Sequence, residues 1–147
     1  METFRPLKKV EDTLKLWARQ LNYQLTHLFA VTSYTPTLTW TTGTPATNVS
    51  YKFQYQVIGK LCFVTGYYTA DDGNGATALT ITTPYTQKSY SGEYLQSFSA
   101  HQLVDTTWSN PLAYLDDNDG LIKFNSFTTC TDNTSVKILV SGFYEIN

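Results

Sequence analysis

The run Asp116-Asp117-Asn118-Asp119-Gly120 sets oxygen donors at alternate positions, with Asp116 and Asn118 the first two, in the way a calcium loop begins. A full loop of that kind needs a glutamate at its twelfth position, which here is Phe127, and two flanking helices. No metal is therefore expected, and the run reads as a carboxylate-rich turn. The two histidines, His27 and His101, lack the serine, cysteine and carboxylate pattern of a catalytic triad. Phosphate-loop, dinucleotide, zinc-protease and paired-cysteine motifs do not occur, so neither an enzyme nor a cofactor is expected. Recognition chemistry is better supplied. Tyr85, Tyr90, Trp108 and Tyr114 lie in or beside loop-like stretches, where rings stack on sugars or pack at protein interfaces.

The elements that must carry these residues fall into two parts. The 147 residues suit one domain with an appendage. Charged residues make up 15%, below the roughly 25% of ordinary soluble domains, and aromatics another 15%, a balance that favours strands. Five of the ten basic residues, Arg5, Lys8, Lys9, Lys15 and Arg19, fall in the first 19 positions. Residues 31–147 carry five lysines against nine acids, which disfavours nucleic acid as a partner of the body. No stretch reaches membrane-span length, no export signal is visible, and the two cysteines, Cys62 and Cys130, read as reduced.

Residues 1–32 form the first part. Leu7, Leu14, Leu21 and Leu28 repeat every seven residues, and Val10, Trp17 and Gln24 fill the second apolar position of the same heptads. With Pro6 suited to a first turn, the spacing predicts a helix from about Pro6 to Ala30. Two readings share this stripe: a coiled-coil seam between copies, or a helix laid on its own β-body. Length and the polar Gln24 at a seam position favour the seam, and Leu16 and Leu25 are expected to widen it in a way that suits a trimer or a mixed helix-on-sheet contact better than a dimer.

Residues 33–147 form the second part, a β-sandwich head. Tyr51, Phe53, Tyr55 and Val57 alternate with polar residues, Gly59-Lys60 makes a two-residue hairpin link, and LCFVTGYYTA follows as its partner strand. Asp71-Asp72-Gly73-Asn74-Gly75 turns the chain into ALTITTP. With strands at 35–40, 94–103, 112–115, 121–124 and 136–144, about eight strands suit an antiparallel jelly roll. In 35–40 Pro36 ends helical character, and Leu38 and Trp40 are expected to point inward.

The succession Tyr34-Thr35-Pro36-Thr37-Leu38-Thr39-Trp40, Gln56-Val57-Ile58-Gly59-Lys60-Leu61-Cys62-Phe63-Val64, Leu79-Thr80-Ile81-Thr82-Thr83-Pro84-Tyr85 and Ser141-Gly142-Phe143-Tyr144 resembles a family of bacteriophage virion domains. These heads occur in tail fibres, baseplate receptor-binding proteins and capsid fibres, and the match covers about residues 33–145. The resemblance implies a TNF- and C1q-like jelly roll, a homotrimer with a helical stalk, and a place in the virion after synthesis in the bacterial cytoplasm. The chain would then be a small fibre, spike or decoration subunit. Arg5, Lys8 and Lys9 would dock it to capsid, collar or tail proteins, and its loops would face a host-surface glycan. The alternative reading is a cellular C1q-like ligand-binding module, for which the sequons at Asn48 and Asn133 would matter.

Overall fold

A computed structural model describes residues 6–28, 30–89, 96–115 and 119–147. Contacts divide the chain into two units, one ending at Ala30 and one running Val31–Asn147. The first contains helix α1, Pro6–Leu28, which Pro6 opens at the one position where a missing N–H costs nothing. Glu11 and Lys15 pair at i,i+4 with the acid on the amino-terminal side, the favourable order, but both are well exposed and contribute only a few tenths of a kcal/mol. Thr13 and Thr26 donate their hydroxyls back to the carbonyls of Lys9 and Asn22.

The second unit is mostly β. Its strands are β1 Thr32–Tyr34, β2 Leu38–Thr42, β3 Ser50–Ile58, β4 Leu61–Ala70, β5 Ala76–Thr82, β6 Gln96–Val104, β7 Thr107–Ser109, β8 Leu112–Leu115, β9 Leu121–Asn125 and β10 Val136–Glu145. They make a curled antiparallel sheet in the order β1-β3-β4-β10-β6-β8-β9-β5-β2, with β7 beside β6, consistent with the expected sandwich or jelly roll. β6 turns the corner: residues 99–104 pair with β10, whereas residues 96–98 pair with β8.

The segment at 35–40 differs from its expected single strand. β1 pairs with β3 and β2 pairs with β5, so Thr35-Pro36-Thr37 carries the chain from one end of the curled sheet to the other. The inward pattern is nonetheless continuous, since Pro36 is buried, Leu38 and Trp40 are half-buried and the threonines between them are exposed. Trp40 lies against Tyr68 of β4 at 5.0 Å between centroids and so joins the two layers. β7 is a further strand, and it and β8 keep one register against β6, with Val104 opposite Thr107 and Phe98 opposite Ala113. Pro111, which has no N–H to give, sits where that ladder opens.

The core is laid out in rows across the strands. Phe53, Gly66 and Val140 face one another in register, and Tyr55, Val64 and Gly142 form the next row. A Cβ on Gly66 would stand 2.1 Å from the Phe53 ring, and one on Gly142 would stand 2.3 Å from the Phe98 ring. Both glycines are therefore spaces that aromatic rings fill. Gln102 is fully buried; its Nε2 donates to the Thr128 carbonyl at 2.7 Å and its Oε1 accepts from the Thr128 N–H at 2.9 Å. That pair satisfies the amide and pins the loop over 126–135 into the core. Cys62 and Cys130 are buried and free. Desolvation pushes both thiols up, Cys130 to about 11.

Candidate interaction surfaces

Three surfaces have the chemistry of contact. The first is the stripe on α1. At 100° per residue, Val10, Leu14, Trp17, Leu21 and Gln24 fall within one third of the helix circumference, roughly, and Leu25 flanks them. Leu16 does not widen the stripe as expected. It lies on the far side of the helix with Tyr23, seven residues on. Every stripe residue whose side chain is described is exposed, Leu14 at 60% and Trp17 at 62%. Leu7 and Leu28 belong to the helix span, and their side chains, like that of Lys8, lie outside the description. Lys9 is exposed, and Arg5 lies outside the described residues.

The second surface is the outer face of β3, β4 and β10. Phe63 of β4 stands opposite Phe143 of β10, with ring centroids 5.5 Å apart, and two residues along Thr65 stands opposite Ser141. Tyr67 and Leu139 form the next pair. Two ridges of large side chains therefore border a trough floored by hydroxyls. Beside Phe63 and Phe143 the trough deepens into a hollow of about 310 Å³ that Gln54 and Gln56 also line. Phe63, Tyr67, Leu139 and Phe143 are all exposed, the last at 55%. A soluble monomer rarely leaves so continuous an apolar face uncovered.

The third surface is a polar hollow of about 390 Å³ at one end of the head, lined by Thr83, Pro84, Tyr85, Thr86, Asp119 and Gly120. The strap after β5 holds it open from within. Tyr144 is fully buried, and its hydroxyl accepts from the Tyr85 N–H at 3.1 Å and donates to the Tyr85 carbonyl at 3.0 Å. The Thr83 N–H donates to the Gly120 carbonyl at 2.9 Å, tying the strap to the turn before β9. Lys88 closes it at the far end through its N–H to the Glu145 carbonyl and its ammonium to the Glu145 carboxylate, both 2.8 Å. Tyr85 itself is exposed, its ring set edge-on to Tyr55 at 5.3 Å, and the hydrogen bond to Tyr55 holds its phenol above the usual range.

The four loop aromatics do not converge. Tyr85 borders the polar hollow, and Tyr90 lies outside the described residues. Trp108 is exposed on β7 opposite Leu103, which pairs with Lys137 at the start of β10. Tyr144 marks the other end of that strand, so Trp108 and Tyr85 are separated by roughly 20 Å or more of strand at about 3.3 Å per residue. Tyr114 is half-buried on β8 between Ser97 and Lys123. His101 shares a 2.7 Å hydrogen bond with Asn110 across the open part of the β6–β7 ladder.

Asp116 and Asn118 lie outside the described residues. Neighbouring Asp119 accepts from the Leu121 N–H at 2.9 Å and from Lys123 Nζ at 2.5 Å, as a turn-capping carboxylate does. Among the described residues no group of three or more His, Cys, Asp and Glu side chains is placed to hold a metal, and no helix is long and apolar enough to cross a membrane. Comparison with protein-family models, with curated proteins and with solved structures finds no match.

Proposed function

We propose that this chain is a non-enzymatic bacteriophage virion protein, a small homotrimeric fibre, spike or decoration subunit held by its amino-terminal end and displaying the β-head. The observation that carries the assembly is the heptad stripe of α1, whose described side chains are exposed. Leucine repeats at one seam position, at Leu14 and Leu21, while Val10, Trp17 and Gln24 occupy the other. Leucine at the first position with a β-branched residue at the second, as Val10 is, favours more than two strands. The ridged outer face of β3, β4 and β10 gives the heads a second apolar surface to share.

The virion setting rests on the resemblance of residues 33–145 to phage head domains. Docking falls to the basic amino-terminal end, where Lys9 stands in the first turn near the positive end of the helix dipole, an arrangement an acidic partner would relieve. Attachment to a host-surface glycan falls to the loops of the head. Deleting residues 1–9 tests the docking role: particles assembled with the shortened chain should lack it, while the purified protein remains a folded trimer. Normal incorporation of the shortened chain would refute docking through this end.

A further inference from the structure

The hollow beside Tyr85 has a chemistry distinct from that of the apolar outer face. Among the described residues that line it, the charged side chain is Asp119, whose carboxylate accepts from the Leu121 N–H and pairs with Lys123 while keeping lone pairs for further donors. The exposed Thr86 hydroxyl and the ring of Tyr85 complete the rim. A site with a carboxylate acceptor, a hydroxyl and an exposed aromatic ring suits a ligand that offers several O–H donors around an apolar ring of C–H groups. A phosphate or carboxylate ligand would meet Asp119 with like charge, and an apolar ligand would leave that carboxylate desolvated.

Preorganisation separates this hollow from an ordinary surface dent. The buried Tyr144 hydroxyl grips both backbone groups of Tyr85, and Thr83 Oγ1 lies 2.9 Å from the Tyr85 carbonyl and 3.1 Å from that of Gly120. The strap and the turn are thus fixed relative to one another before any ligand arrives, which lowers the ordering cost of binding. The volume of about 390 Å³ falls in the range of small-molecule sites, about 300–1,000 Å³. We propose that the hollow bounded by Tyr85, Thr86 and Asp119 binds a neutral saccharide, Asp119 accepting from ring hydroxyls and Tyr85 packing against the C–H face. The proposal deepens the attachment role given to the head and rests on it.

The test is saturation-transfer NMR on the whole protein with glucose, galactose, mannose, rhamnose and N-acetylglucosamine as probes, and galacturonate as the anionic control. At least one neutral sugar should give signal, with a dissociation constant on the order of millimolar. Tyr85→Ala and Asp119→Asn should each weaken it by about tenfold or more, whereas Tyr85→Phe should keep it within about threefold. Phe143→Ser, on the outer face, should leave it unchanged. Melting curves of the variants establish that the strap is intact, and Tyr85→Phe with Asp119→Asn decides the matter if Tyr85→Ala unfolds. Signal from none of the neutral sugars, signal only from galacturonate, or signal that survives Asp119→Asn would overturn the proposal. Sugar binding by a protein of monomeric mass would refute the trimer and leave this site standing; a trimer that binds no sugar would refute this site alone.

Discussion

Trp17 of α1 and Tyr144 of β10 are both large aromatic residues, yet Trp17 is 62% exposed and Tyr144 is completely buried. The contrast extends to their surroundings. The described side chains of α1 are exposed throughout, whereas the head closes a core around Phe53, Leu79, Ile81, Ile122 and Ile138. Burying each such side chain stabilises the fold by about 1.5–3 kcal/mol, a gain that the proposed seam would extend to α1. Most helical stability in proteins comes from packing of an amphipathic face rather than from propensity. In the proposed assembly the head is stable by itself and the helix is stable by association. That asymmetry is what a subunit needs if one end is to be knitted to neighbours and the other displayed.

Breaking the helix should give the largest separation between the two regions. Leu14→Asp combined with Leu21→Asp removes two seam leucines, each expected to be worth about 2–5 kcal/mol once buried between copies. The helical signal in far-UV circular dichroism should disappear while the head melts at its usual temperature. A fully retained helix would show that the stripe is not what holds it. Substitution at the head should have the converse effect. Gly142→Ala drives a methyl into the Phe98 ring and should cost about 1–3 kcal/mol, measured by urea unfolding, with the helix unaffected. Phe98→Leu in the same chain should recover part of the loss.

Smaller changes sharpen how the head holds its strap. Tyr144→Phe removes the hydroxyl that grips Tyr85 and should lower stability by about 1 kcal/mol, or about 2–4 °C in melting temperature. Raising the pH should weaken the head and spare the seam, where leucine, valine and tryptophan do not titrate. The folded head raises the Cys130 thiol to about 11, so above pH 9 the unfolded chain loses a proton that the folded chain keeps. Stability therefore falls as pH climbs from 9, and the contribution of Cys130 is gone once pH passes about 11. Cys62, Tyr34, Tyr68 and Tyr144, all raised first by desolvation, should add to the fall at alkaline pH. A flat melting temperature from pH 8 to pH 11 would contradict that account.

Much of the head was legible because alternation reports burial directly. Tyr51 to Ile58 and the Gly59-Lys60 link form β3 and its turn, with Gly59 at φ 61 and Ile58 paired to Leu61. Alternation does not report which neighbour a strand takes. Residues 35–40 therefore read as one strand, although the corner at Pro36 changes partners while the in-and-out order runs straight through it. β7 escaped notice because Pro111 and Asn110 break up a run that the Asp105-Thr106 turn had already folded back on β6.

Of the surfaces, the α1 stripe was visible in heptad spacing. The ridged outer face leaves a trace in the sequence: LCFVTGYYTA carries large apolar residues at both phases, too many for a strand with one wet face. At the hollow, Tyr85 was legible as a loop aromatic, but its pairing with Asp119 had no local signal, since Thr83–Thr86 and Asp119 meet only in the folded head. Gln102, a polar residue inside an apolar strand, could be assigned a partner only once Thr128 was seen beside it.

The proposed assembly makes the heptad stripe of α1 a seam between three copies of the chain. Light scattering on the protein as it elutes from a sizing column tests it most directly. The account predicts a mass of about 50 kDa, three times the 16.6 kDa chain, and a mass of 16.6 kDa at micromolar concentration would contradict it.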